Sequence, residues 1–255
     1  MTAVAFVRKP SDSLAHCELT HLERVPIDVV RAQAQHAAYA AALAELGARV
    51  EWLPELPGHP DGVFVEDTAI VLPETAIVTR PGAESRRGEV LSVANALSRH
   101  RSLAWIEAPA TLDGGDVLVI GRTIFVGLSS RTNAEAVAAL RAIVDPHRYE
   151  VVPVPIRRSL HLKSACTFVP PVIVVANRRW IDPAIFGGMN VILTHESEPA
   201  AGCTVTVGGR TLVQAAAPKT EERLRNAGVR TRAIDVSELQ KAEAGLTCMS
   251  LIVHS

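Results

Sequence analysis

A cysteine, a histidine and a set of carboxylates, far apart in the chain, carry the chemistry this sequence offers. Cys248 stands in LTCMSLIV, just before the last apolar run, and His161 in SLHLKSA. An activated thiolate is a strong nucleophile, and histidine is the usual general acid and base near neutral pH. Taken singly, a cysteine there reads as a small buried hydrophobe and a histidine between leucines as a core residue. Cys17, Cys166 and Cys203 compete for the nucleophile's role, although Cys248 pairs best with an upstream histidine and acids. Asp61-Gly-Val-Phe-Val-Glu66-Asp67 sets three carboxylates about an apolar run. Strand alternation aims Glu66 and Asp67 to opposite faces unless a bulge or strand end intervenes. Carboxylates in a water-poor pocket need a cation, and the forked donors of a guanidinium match them well. In LDGGDV, two glycines between Asp113 and Asp116 permit close backbone approach, and the acids are placed to orient a histidine. Arg86-Arg87 and Arg131 precede expected helices, where an arginine either grips a carboxylate bidentately or stays solvated.

Bringing these groups together requires a fold that gathers distant segments, and the chain carries a weak internal repeat. Its unit is an apolar strand, a turn, a second apolar strand and a helix. VFVEDTAIVL, a turn at Pro73-Glu74 and AIVTR precede a helix over 89–99; GGDVLVI, Gly121-Arg122 and TIFVGL precede one over 134–143. SACTFV, Pro170-Pro171 and VIVVAN lead to a short segment at 183–186; CTVTV, Gly208-Gly209 and TLVQA lead to a helix at 220–226. CMSLIVH begins a fifth unit that the N-terminal AVAFV completes, with a helix over 28–46 whose apolar positions are Val29, Val30, Ala34, Ala37, Ala38, Ala41 and Leu46. Five such units close into a ring with the chemistry-bearing residues at their starts; an ordinary mixed α/β sheet is the competing architecture. With no linker, charge block or low-complexity tract, one domain over residues 1–255 is expected.

Composition narrows the partners. The 255 residues are 48% hydrophobic and 21% charged, enough for a substantial core, and a net charge of -1 gives no basic excess for nucleic acid. No stretch approaches the roughly 20 apolar residues that span a bilayer, the N-terminus lacks a signal peptide, and the cysteines show no CxxC spacing. Cytoplasm, where thiols stay reduced, is the expected compartment.

Taken in order, FVEDTAIVLPETAIVTRPGAESRR, TLDGGDVLVIGRTIFVGLSSRTN, LHLKSACT, AAGC and LTCMS resemble the dimethylarginine dimethylaminohydrolases, with weaker likeness in RKPSDSLAHCEL and QAQHAAYAAAL. The resemblance implies the pentein fold, a fivefold pseudo-symmetric α/β propeller. It implies hydrolysis of Nω-methylated and Nω,Nω-dimethylated L-arginine to citrulline and an alkylamine, without organic cofactor or catalytic metal, by a monomer or homodimer. It makes Cys248 the nucleophile, His161 the acid/base and Asp113 its orienting partner. Asp61, Glu66 and Asp67 become the guanidinium pocket, and Arg86 and Arg131 the grip on the α-carboxylate. Leu19, in a lid, and Ala242 contribute backbone carbonyls, while Cys203 matches a family cysteine that is not the nucleophile. Competing readings are an arginine deiminase or amidinotransferase of the same superfamily, a non-catalytic ring-fold binding protein, and a metal-dependent hydrolase.

Overall fold

Each apolar run that the sequence sets beside a turn folds into one arm of an antiparallel pair, and a third strand then joins in parallel. The computed structural model describes residues 3–254. Four modules follow in chain order. They are Ala69–Val71, Thr75–Val78 and Ser102–Trp105; Val117–Ile120, Thr123–Leu128 and Glu150–Pro155; Cys166–Val169, Ile173–Ala176 and Asn190–Leu193; Val205–Val207, Arg210–Gln214 and Thr231–Ile234. The fifth joins the chain ends: Leu251–His254 pairs antiparallel with Ala3–Val7 (Ala3 opposite His254, Phe6 opposite Leu251), and Arg49–Trp52 adds in parallel. These five three-stranded sheets with intervening helices are the pentein arrangement that the resemblance implied.

The expected unit lacked its third strand. RVEW, SLAW, EVVPVP, NVIL and TRAI are short and largely half-buried or exposed, so mixed polarity hides them from a hydrophobic pattern. A parallel pair also needs a crossover, which the helices supply. The predicted helices run over Val90–Leu97, Ala134–Val144 and Pro218–Asn226, with a single 3₁₀ turn at Pro183–Phe186. The helix Val29–Glu45 starts where the Asp28 side chain accepts the Arg31 N–H. Its buried face is Ala32, Gln35, His36, Tyr39, Ala40, Ala42 and Leu43, whereas Val30, Ala34, Ala37, Ala38 and Ala41 face solvent. The alanine-rich run offered no contrast between faces; bulky Tyr39 and Leu43, which bury far more area than a methyl group, set the orientation.

The first strands of the modules line a cavity of about 280 Å³ at the centre of the ring. Each is preceded by a short helical turn: Val65–Thr68, Gly114–Asp116, Leu162–Ala165, Pro199–Gly202 and Thr247–Met249. Those five turns converge at one end of the axis and carry the chemistry.

Candidate active site

Three of the five turns bring groups singled out in the sequence to the wall of a single buried cavity, and a fourth sets Asp113 behind that wall. Its wall includes Asp61, Asp67, Arg86, Arg131, His161, Ala242 and Cys248. Asp113 stands directly behind His161, whose Nε2 lies 3.0 Å from Asp113 Oδ2, while Nδ1 faces Asp67 Oδ1 at 3.6 Å. Both carboxylates thus stand opposite ring nitrogens, an arrangement suited to an imidazolium with two N–H donors rather than to a neutral ring. Burial pushes the His161 pKa down, but the charge of Asp67 and the hydrogen bond to Asp113 outweigh it and hold the ring up at about 9. Asp67, Asp113 and His161 also lie close enough together to hold a cation, yet a protonated ring offers no lone pair to a metal.

The backbone explains why DGGD is needed. Asp113 Oδ1 accepts the Gly82 N–H at 2.9 Å and Asp67 Oδ1 accepts the Gly115 N–H at 3.0 Å. A Cβ at Gly115 would stand 2.6 Å from Asp67 Oδ1 and 2.7 Å from His161 Nδ1, so only glycine lets the pair pack there. Asp116, singled out with Asp113, accepts the Leu162 N–H at 2.9 Å and the Ser129 hydroxyl at 2.6 Å, fixing the turn that follows His161.

Glu66 and Asp67 occupy a 3₁₀ turn and diverge. Asp67 faces the cavity. Glu66 turns towards the axis, where it pairs with Lys163 Nζ at 2.7 Å and accepts the Thr247 hydroxyl at 2.7 Å. It is therefore absent from the active-cavity wall and forms, with Lys163, the partition between that cavity and the axial one.

Arg86 reaches the wall but is heavily committed. Its guanidinium grips Asp67 at 2.5 Å and Glu89 at 2.9 Å and donates to the carbonyls of Asp61 and Phe64. Those carboxylates hold its pKa well above the ordinary arginine value despite burial. Arg131 makes one long side-chain contact among the described residues, 3.4 Å to Thr20 Oγ1, and is the freer of the two to receive an anion.

Segment 18–26 covers the cavity. Asp61 accepts the Glu18 N–H at 3.0 Å, and the Glu243 carboxylate accepts the N–H groups of Thr20 at 3.0 Å and of His21 and Leu22 at 2.5 Å. Burial raises the Asp61 pKa to about 6 against the opposing charge of Arg86. Leu19, within this segment, is half-buried against the core and does not line the cavity wall. The enclosed space is about 20 Å³, room for about one water, so a larger ligand requires the cover to move.

Cys248 lies in the last turn with Gly245 N–H 3.4 Å from its Sγ. A thiol–thiol hydrogen bond with Cys203 pushes the Cys248 pKa up, and burial and the charges of Glu66 and Asp67 add to the effect. Glu89, Thr247 and Glu243 escaped the sequence reading. Glu89 sits two residues beyond the Arg86-Arg87 pair, a spacing that looks like solvated helix charge, and Glu243 acts on backbone N–H groups that leave no trace in sequence.

The model of the family described as eukaryotic N,N dimethylarginine dimethylhydrolase matches residues 22–182, which include Asp61, Asp67, Asp113 and His161. A dimethylarginine dimethylaminohydrolase of Streptomyces coelicolor is 42% identical over 249 residues, 97% of this chain and 95% of that one. The chain belongs to the dimethylarginine dimethylaminohydrolase family. The Pseudomonas aeruginosa dimethylarginine dimethylaminohydrolase is 34% identical over 226 residues, 88% of this chain and 89% of the relative. Its Cys-to-Ser variant, solved with citrulline, superposes with a TM-score of 0.95 at 33% identity over 99% of this chain and 100% of that one. The N-terminal domain of a cyanobacterial arginine dihydrolase, 18% identical, shares the fold with a TM-score of 0.89 over 100% and 98% of the two chains. No helix of the described residues is long and apolar enough to cross a membrane.

Proposed function

We propose that this protein hydrolyses Nω,Nω-dimethyl-L-arginine and Nω-methyl-L-arginine to L-citrulline and dimethylamine or methylamine, through a covalent intermediate on Cys248. The observation that carries the reading is the His161 ring, its two nitrogens set against Asp113 and Asp67, in the same buried cavity as the Cys248 thiol. The solved Pseudomonas relative with serine in place of a cysteine holds citrulline, the expected product, which supports the same chemistry.

The guanidinium enters beside Asp67, and Asp61 adds negative charge at the wall. Arg131 takes the α-carboxylate, Arg86 braces Asp67 at the same wall, and carbonyls at Leu19 and Ala242 take the α-amine. Without substrate, the Cys203 thiol, burial and the charges of Glu66 and Asp67 together hold the Cys248 thiol protonated. A bound cation offsets that charge and favours the thiolate. The sulfur attacks the central guanidinium carbon, and His161 gives its proton to the departing amine as the C–N bond breaks. An S-alkylthiouronium remains. Neutral His161 then takes a proton from water, whose oxygen attacks the same carbon; the C–S bond breaks, citrulline leaves and Cys248 is restored. Glu66 acts from behind: through Thr247 and Lys163 it fixes the turn bearing Cys248 and closes the cavity floor.

We further read residues 1–255 as one catalytic domain, acting in the cytoplasm as a monomer or homodimer on a small-molecule substrate, without a cofactor and without a nucleic-acid partner. The test is turnover of asymmetric dimethyl-L-arginine beside monomethylarginine and arginine, with citrulline and amine quantified. Citrulline with dimethylamine, and a preference for methylated substrates, supports the reading. Citrulline and ammonia from arginine alone would make the protein a deiminase, and turnover only with an acceptor amine would make it a transferase.

A further inference from the structure

Each module places a functional residue at the turn before its first strand, and the proposed reaction uses four of the five. The fourth module's turn, Pro199–Gly202, ends at Cys203, which that reaction does not use. Cys203 Sγ lies 3.4 Å from the Thr247 N–H and 3.3 Å from Thr247 Oγ1, on the residue adjoining Cys248. The two thiols meet across Gly245. Its N–H points at Cys248 Sγ from 3.4 Å, and a Cβ there would stand 2.3 Å from Cys203 Sγ, so any larger residue would push the sulfurs apart.

The two sulfurs face different spaces. Cys248 faces the closed active cavity of about 20 Å³. Cys203 lines a separate cavity of about 220 Å³, walled by Leu160, Trp180, Gln214 and Ala244 and reached past His21 and Leu22. Both thiols are buried, Cys203 at 3% and Cys248 at 7% exposure, so a small oxidant has a separate approach to each sulfur, through the larger cavity to Cys203 and through the substrate cavity to Cys248. The remaining cysteines are fully buried, and burial raises both: Cys17 to about 11, and Cys166 further. At Cys203 the direction reverses, because the hydrogen bond shared with Cys248 favours its thiolate.

We propose that Cys203 is a modification site and the resolving partner of Cys248, closing a reversible Cys203–Cys248 disulfide when the protein meets a hydroperoxide. Cys203 sulfur attacks one peroxide oxygen; the O–O bond breaks, and the departing oxygen takes a proton and leaves as water or alcohol. Cys203 is then a sulfenic acid. Cys248, losing its proton, attacks that sulfur; the S–O bond breaks and the hydroxyl takes the proton and leaves as water. Each sulfur is oxidised by one electron and the peroxide is reduced by two, so no further reductant or oxidant is required. The disulfide removes the proposed nucleophile while shielding it from irreversible oxidation.

This proposal rests on the reading of Cys248 as nucleophile only for its effect on activity. The folded protein is exposed to excess hydrogen peroxide, free thiols are alkylated, and the products are read by intact mass, peptide mapping and turnover before and after dithiothreitol. The expected wild-type product is lighter by two hydrogens, carries a linked Cys203–Cys248 peptide, is inactive and is restored by reductant. Cys203→Ala is expected to accumulate sulfinic acid at Cys248 and lose activity that reductant does not return. Oxygen addition at Cys248 with Cys203 still alkylatable would overturn the proposal, as would equal recovery in Cys203→Ala. A linked peptide in a protein that still turns over would uphold the disulfide and instead overturn the role of Cys248. The wild-type peptide map needs no variant, so the test survives if Cys203→Ala fails to fold.

Discussion

Replacing Arg86 with alanine separates its role as a brace from a role as substrate anchor. Arg86 is 4% exposed, and its guanidinium is shared between Asp67 and Glu89, 2% and 0% exposed, at 2.5 and 2.9 Å. Arg86→Ala leaves Asp67 with only the His161 ring and the Gly115 N–H, and leaves Glu89 near Arg8, whose own side chain is spent on Pro54, Gly62 and Ser92. Removing one partner of a buried ion pair costs about 3–5 kcal/mol, because the desolvation of the survivor is no longer offset. A domain of ordinary stability, about 5–15 kcal/mol, then loses a large share of it. Asp67 also loses the contact that sets its position against His161, so kcat falls together with stability. Denaturant unfolding of wild type, Arg86→Ala and Arg86→Lys, run beside steady-state kinetics, measures both. An Arg86→Ala protein within about 1 kcal/mol of wild type, with a raised KM and an intact kcat, would refute the bracing role and restore Arg86 as a simple carboxylate anchor.

Arg131→Ala should behave in the opposite way, keeping stability and kcat while KM rises about 10–100-fold, the worth of a charge-assisted contact of about 1.5–3 kcal/mol; a fall in kcat alone would argue against carboxylate binding. His161 should titrate near pH 9 in histidine-selective NMR, and Asp113→Asn should move that titration to lower pH. Because its folded pKa lies above the unfolded value of about 6.5, its contribution to stability, roughly 3 kcal/mol, is fully present below that pH and lost as pH rises through 9; an unfolding free energy whose pH dependence His161→Asn leaves unchanged would contradict it. Gly115→Ala should cost about 1–3 kcal/mol and most of the activity, by forcing Asp67 and His161 apart; near-normal turnover would show that the close approach is not required.

The residues that meet in the cavity were legible because their chemistry is unusual for their surroundings: a thiol before a strand, a histidine among leucines, acids in an apolar run. The ring was legible because each module opens with a strand, a turn and a strand of strong apolar pattern. Its third strands were not, since an edge strand with one solvated face has little pattern to read. The orientation of the helix Val29–Glu45 was not legible because alanine is apolar on every face and carries no direction. Glu66 and Asp67 were grouped because they are adjacent, whereas the 3₁₀ turn sends one to the axial partition and the other to the catalytic wall. The commitment of Arg86 to Glu89 was hidden for a related reason: exposure decides whether such a pair is solvated decoration or a buried brace, and exposure is tertiary.

The account stands or falls on the covalent step. Acid-quenching the protein during turnover of dimethyl-L-arginine labelled in its carbon chain, followed by digestion and mass spectrometry, tests it directly. A labelled thiouronium adduct on the Cys248 peptide, absent from Cys248→Ser and enriched when His161→Gly slows its hydrolysis, is the predicted result. Steady citrulline production with no adduct on Cys248, or an adduct on Cys203 instead, would contradict it.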